Sequence, residues 1–264
     1  MKNFSLLLLK WCCLVCSLSP IFVDASALDD ELQATIAAYR NAGPNPREVL
    51  RPLKWSGITD PALFNIVETD LLNNMSQRGQ DWTEGNAWRV QSLAYSGNPK
   101  YRETIAAIIE KGRSSKLRRH AKSSLAVMED FASYNPTISA GLDDVPAERL
   151  VKQRIINMLT SDNYELIRAG ASQIYHHHFD DQELINLSEQ RIKDLYTKVH
   201  QRFPDGDALG WLCKVLAKTK DEKYIPLLRE VAKNTPEKAL QRHAKNAVKD
   251  IKGIPEVGPH GDLL

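Results

Sequence analysis

Ala87–Leu125 reads AWRVQSLAYSGNPKYRETIAAIIEKGRSSKLRRHAKSSL, and Gly210–Val248 reads GWLCKVLAKTKDEKYIPLLREVAKNTPEKALQRHAKNAV. The two stretches align without a gap. Trp88 falls on Trp211, Leu93 on Leu216, Lys100-Tyr101 on Lys223-Tyr224, and Leu117 on Leu240. Arg119-His120-Ala121-Lys122 falls on Arg242-His243-Ala244-Lys245. A second match lies upstream, where Asp60, Leu63, Asn65 and Glu68 fall on Asp181, Leu184, Asn186 and Glu189. An internal repeat of this length makes the chain two copies of one module.

Each copy carries the helical period. Tyr101, Ile105, Ile108 and Ile109 recur at helix spacing, and Tyr224, Leu228 and Val231 keep the same face. Trp55-Ser56-Gly57 and Tyr95-Ser96-Gly97 read as helix ends, because glycine adopts the left-handed conformation after a last turn. Asp60-Pro61 and Asn98-Pro99 read as a cap followed by proline at the first helical position. The connections are so short that neighbouring helices must run antiparallel. The pattern predicts helices over 29–42, 46–56, 61–75, 84–96, 99–111 and 115–130 in the first copy. In the second it predicts 147–160, 164–178, 181–197, 206–218, 222–233 and 237–251. No alternating β stretch competes.

The second-helix segments carry a resemblance. Leu117 to Leu125, Ile167 to Ser172 and Leu240 to Val248 are similar to the degenerate V-R-x-x-A-A-x-A-L helix of HEAT-type repeats. His120 and His243 depart from it, standing where the family often has a small residue. The resemblance covers nearly all of the chain after the first segment. It implies an all-α, right-handed α-solenoid of about six helical hairpins, built as two three-hairpin modules. The overall pattern resembles exported HEAT-repeat proteins of Gram-negative bacteria, an architecture that serves mostly as a binding scaffold.

The expected organisation is a signal peptide at 1–27, a first module at 28–131, a linker at 132–146, a second module at 147–252 and a loose tail at 253–264. The first segment has Lys2 and Lys10, an apolar run from Trp11 to Val23, and Ala25-Ser26-Ala27 as a cleavage pattern. A retained membrane anchor is the alternative, but Lys10 leaves the apolar run short of the ~20 residues a span needs. No transmembrane span is expected in the mature chain. A periplasmic location follows, with secretion or signal anchoring as alternatives. Cleavage would remove Cys12, Cys13 and Cys16 and leave Cys213 alone, so no internal disulfide is expected.

The chain holds 35 Lys and Arg against 33 Asp and Glu, a formal charge of +2. So small a net charge creates no global field toward nucleic acid, and none is expected as a partner. Recognition must come from local patches. The basic residues Lys111, Arg113, Lys116, Arg118, Arg119 and Lys122 include no acid among them, and Arg113, Lys116, Arg118 and Lys122 are the candidate partner-binding set. The second copy keeps Lys233, Lys238, Arg242, Lys245 and Lys249, diluted by Glu237.

Three consecutive histidines, His176, His177 and His178, precede Asp180 and Asp181. Consecutive helical residues point about 100° apart, so the three cannot share one ion. His176 with Asp180, and His177 with Asp181, stand at i and i+4, a pairing that could hold zinc weakly with a third ligand from elsewhere. The alternative is a helix C-terminus whose dipole favours such side chains. His120 and His243 read either as a duplicated site or as packing beside Tyr101 and Tyr224. Trp88 and Trp211 read as core. Cys213 matches Val90 of the first copy, an apolar slot, which argues against a reactive thiol. No nucleophile elbow, zinc-protease helix or phosphate loop is present, and no cofactor is expected. The leading functional expectation is a non-enzymatic protein-interaction scaffold in the bacterial envelope, with another envelope protein as partner. The alternatives are a metal-binding protein or metal-dependent enzyme at His176–His178, and an anionic lipid or lipopolysaccharide binder at 111–122.

Overall fold

The computed structural model describes residues 26–178, 180–199 and 205–254. Among them are twelve α-helices and no strand. These are α1 (Ala27–Asn41), α2 (Arg47–Leu50), α3 (Pro61–Asn74), α4 (Gln80–Tyr95), α5 (Arg102–Lys111) and α6 (Ser115–Ile138). They continue with α7 (Leu150–Thr160), α8 (Tyr164–His177), α9 (Gln182–Leu195), α10 (Asp205–Lys218), α11 (Ile225–Asn234) and α12 (Lys238–Ile251). The protein is all-helical, and none of these helices is long and apolar enough to cross a membrane. Residues 1–25 of the expected signal and 255–264 of the expected tail lie outside the described residues.

Local sequence sets most helix ends. Asp60 caps α3 by accepting from the Ala62 amide at 2.7 Å, and Asn98 does the same for Lys100 at 3.0 Å. Asn163, Asp181 and Asp221 repeat the device for the helices that follow them. At the other ends, Ser56 and Ser96 donate to the Leu53 and Leu93 carbonyls and accept from the amides of Ile58 and Asn98. Gly57 (φ +70°) and Gly97 (φ +65°) then take the left-handed turn. The helix predicted over 46–56 is α2 followed by a 3-10 turn at Pro52–Trp55, since Pro52 has no amide to continue the α-helical ladder.

Chain neighbours pack as pairs, α3 on α4, α5 on α6, α7 on α8, α9 on α10 and α11 on α12. The second members of these pairs also lie side by side: α4 against α6, α8 against α10, and α10 against α12. The apolar faces fill two cores. Phe64, Leu93, Tyr101, Ile105 and Ile108 anchor the first, and Ile155, Leu166, Leu212, Leu228 and Leu240 anchor the second. Each such side chain contributes roughly 1.5–3 kcal/mol by leaving water.

The segment predicted as a linker from 132 to 146 begins as helix. α6 runs through Pro136 to Ile138. Proline in a helix removes one hydrogen bond and crowds the preceding turn, yet tertiary contacts hold this turn. Phe131 stacks against Tyr95 at 4.9 Å and Trp55 at 5.5 Å. The Asn135 amide donates to the Tyr95 and Ser96 carbonyls, sealing the end of α4. Ile138, at the end of α6, is fully buried in the second core, where Trp55 and Tyr134 also pack. Asn157 on α7 then donates to the carbonyls of Ile138 and Ala140. This junction is therefore docked and shared between the two cores.

Candidate functional site

The helices α4, α6, α8, α10 and α12 present two grooves. The first, of about 370 Å³, lies where Trp55, α4 and α6 meet α8. The second, of about 520 Å³, lies among α8, α10 and α12. Their walls correspond through the internal repeat. Gln91, His120, Ser123 and Ser124 in the first stand where Lys214, His243, Asn246 and Ala247 stand in the second. The upstream match adds Lys54 against Tyr175. Repeat-equivalent positions of the sequence thus line both grooves, and the chemistry of the two grooves differs.

The first groove has an aromatic wall. Trp55, Tyr95, Phe131 and Tyr134 form a connected cluster with centroids 4.9 to 6.2 Å apart. Burial pushes the Tyr95 phenol up to about 12. Lys54 lies 4.9 Å above the Trp55 ring, and burial together with Arg168 holds its ammonium below the usual lysine value. The second groove is more cationic. Lys214 lies 4.2 Å from the Trp211 ring centroid, and Trp211 meets Tyr175 edge-on at 5.7 Å. Trp88 and Trp211 are half-buried rather than fully buried, so they flank the cores.

His120 and His243 line the two grooves. The His243 ring rests on Gly210, where an added Cβ would lie 2.5 Å from it. Both imidazoles titrate below the ordinary value of 6.5. Burial is the main cause for each, reinforced by Arg119 and Lys116 at His120 and by Lys214 and Arg242 at His243, while Asp207 and Glu237 oppose it at His243. The folded state therefore binds fewer protons than the unfolded chain just below pH 6.5. Stability is complete above that pH and is lost as pH falls through the lower folded-state values. The melting temperature is expected to drop between pH 7.5 and 5.5 at constant ionic strength. The His120→Gln/His243→Gln double variant should show a smaller drop, and identical profiles for the two proteins would refute this assignment.

The histidine run is divided by the structure. His176 is exposed and packs against two rings of the groove wall, 5.1 Å from the Tyr175 ring and 5.8 Å from the Trp211 ring. His177 is exposed on the last turn of α8. His178 follows that helix, its amide donating to the Ile174 carbonyl. Burial, then His177, lowers the His178 pKa, opposed by Asp181 and Asp180. Asp181 caps α9 through the Glu183 and Leu184 amides and pairs with Lys152 at 2.9 Å. Burial acts to raise its pKa, but Lys152 and the two amides hold the carboxyl below its usual value. Among the described residues no three His, Cys, Asp or Glu side chains converge on a common point. Cys213 is fully buried, and burial pushes its thiol up to about 12.

Three of the six basic residues at 111–122 are engaged within the fold. Arg118 donates to the Gly112 carbonyl at 2.7 Å, sealing the end of α5. Lys116 pairs with Glu84 at 3.3 Å, and Arg113 donates to the Ser76 carbonyl at 3.4 Å. Lys122 is exposed on the following turn of α6. Of the four candidates, Arg113, Lys116 and Arg118 thus each hold a partner within the fold. No known family, curated protein or solved structure matches the chain.

Proposed function

We propose that this protein is a non-enzymatic interaction scaffold of the bacterial envelope, built as a right-handed α-solenoid of six HEAT-like hairpins. The observation that carries the reading is the pair of repeat-equivalent grooves. A scaffold that repeats its helices repeats its binding surface, and a segment lying along that surface meets related side chains twice. The aromatic cluster beside His120 and the edge-to-face Trp211 and Tyr175 with Lys214 beside His243 supply the rigid, amphipathic contacts that anchor protein interfaces. The partner in this reading is another envelope protein, reached after export directed by the first 27 residues.

Site-specific photocrosslinking in the native envelope tests this. A crosslinker at Ser123 or Asn246, inside the two grooves, should yield one shared adduct resolved by mass spectrometry. A crosslinker at exposed Glu103 on α5, outside both grooves, should not yield it. Equal labelling from all three positions, or none from either groove, would refute the scaffold reading.

A further inference from the structure

The last hairpin carries a second surface, remote in character from the aromatic grooves. Between α11 and α12 lies an open groove of about 750 Å³ walled by Arg229 and Lys233 on one helix and Lys238, Arg242, Lys245 and Lys249 on the other. The α12 set falls at i, i+4, i+7 and i+11, one stripe along one face, and spans about 16 Å at helical rise. The α11 pair stands at i and i+4 and faces it. All six are exposed, and among the described residues none makes an ion pair. Ala232 and Val248 form a small apolar strip between the two rows.

Glu237, which dilutes this stretch on paper, is turned away from it. Its carboxylate caps α12 by accepting from the Leu240 amide, and it lies against Gly206, where an added Cβ would meet it at 2.3 Å. That side chain does not line the groove.

The first copy serves as an internal control. The positions equivalent to the six cations are Ala106, Glu110, Ser115, Arg119, Lys122 and Ala126. Only two of those are basic, and Lys233 stands where the first copy has an acid. The same helix pair therefore folds without four of these charges, and packing does not require them. Six like charges in one groove repel one another, so they oppose the fold they sit on. Their arrangement suits a ligand that brings regularly spaced negative charge along a line.

We infer that the α11–α12 groove binds an acidic linear segment of a partner protein. The inference rests on the scaffold reading but on a different surface from its two grooves. A trough with cations on both walls and a narrow apolar floor accepts an amphipathic acidic helix, whose carboxylates at i and i+4 repeat every ~6 Å. A segment that inserts into a bilayer does so with protruding apolar side chains, whereas Ala232 and Val248 are small and half-buried between two facing charged rows, a concave shape that fits a rod-like ligand better than a plane.

The test uses the full chain and a labelled 20-residue peptide with glutamates along one helical face and alanine and leucine on the other. Its glutamine twin and vesicles containing phosphatidylglycerol serve as competing probes. In fluorescence anisotropy the acidic peptide should bind, its glutamine twin should not, and affinity should fall about tenfold between 50 and 200 mM salt as exposed charges are screened. Lys238→Glu with Arg242→Glu should weaken binding by more than about tenfold. Arg119→Glu with Lys122→Glu, the two exposed basic positions of the first copy equivalent to Arg242 and Lys245, should leave it within about twofold. Melting temperatures no lower than wild type in both variants separate charge from folding. Equal binding by the α12 variant, or no binding of the acidic peptide, would overturn the inference. So would vesicles that displace the peptide from the wild-type groove, since the occupant would then be a lipid surface. The groove crosslinks from Ser123 and Asn246 report on the scaffold reading separately, so either result can fail alone.

Discussion

Replacing Gly97 by alanine should destabilise the protein by about 3 kcal/mol, from two additive causes. Gly97 has φ +65°, and an L-residue there costs ~1–2 kcal/mol. A Cβ at this position would also lie 2.5 Å from the Ala132 nitrogen and 2.6 Å from its Cα. Those are backbone atoms of α6, held by the Phe131 cluster, and they cannot rotate away. Overpacking of that kind costs ~1–3 kcal/mol, offset by a few tenths from the stiffer unfolded chain. The sites grade themselves by space. At Gly57, also left-handed, the nearest atoms would be 3.2 Å away and must give by a few tenths of an ångström, so Gly57→Ala should cost about 2 kcal/mol, less than Gly97→Ala and more than substitution at an open site. At Gly43 and Gly141 nothing lies within 4 Å, and only the φ cost of ~1–2 kcal/mol remains. Urea titration of the four variants gives the order. A Gly97→Ala cost no larger than that of Gly43→Ala would mean that α4 does not approach the α6 backbone so closely.

The internal repeat supplies the reverse experiment. Lys220 is the twin of Gly97 and takes φ +58°, the one left-handed residue other than glycine among the described residues. Lys220→Gly relieves that strain but gives up an exposed contact to Asp250, which contributes little in solvent. The expected result is a gain of up to ~1 kcal/mol.

Which features were readable depends on whether the deciding contact is local. Asp60-Pro61, Asn98-Pro99 and Tyr95-Ser96-Gly97 mark helix ends by bonds made within four residues, so sequence alone places those ends closely. Pro136 misleads for the complementary reason. Its local effect is to stop a helix, while the contacts that carry α6 to Ile138 come from Tyr95, Trp55 and the second core, far away in sequence. The charge reading of the two basic stretches is incomplete for the same reason. Arg118 and Lys116 look free in sequence but serve the Gly112 carbonyl and Glu84. Glu237 looks like a neutralising neighbour but caps α12. His120 and His243 were visible as a repeated pair, yet their place in matched grooves required the lateral packing of α4 on α6 and α10 on α12. The half-buried positions of Trp88 and Trp211 were likewise invisible, because a helical period locates a face and not the edge of a core.

The link between the two copies is expected to depend on one ion pair. Arg154 on α7 is 4% exposed and meets Glu31 on α1 through two parallel bonds of 2.7 and 2.5 Å. Among the described residues Glu31 is its only carboxylate partner, and the Arg154 Nε has no hydrogen-bond acceptor. Glu31→Ala would leave a buried guanidinium uncompensated, which costs ~3–5 kcal/mol at a fully enclosed site. Glu31 retains 30% side-chain exposure, so water can reach the vacated position and the lower end, about 3 kcal/mol, is expected. Arg154→Met keeps most of the volume and removes the buried charge, and should cost less than Glu31→Ala. The double variant should then be more stable than Glu31→Ala alone, the mark of a charge whose partner is missing. The same pair bears on cooperativity. With α1 tied to α7 and Ile138 of α6 seated in the second core, wild-type protein should unfold in a single calorimetric transition. Glu31→Ala should broaden or split it, as the first helices lose their hold on the second copy. If Glu31→Ala and Arg154→Met cost the same and both melt in one sharp step, the pair is only a surface contact, and the coupling between the copies rests on the α6–α7 junction alone.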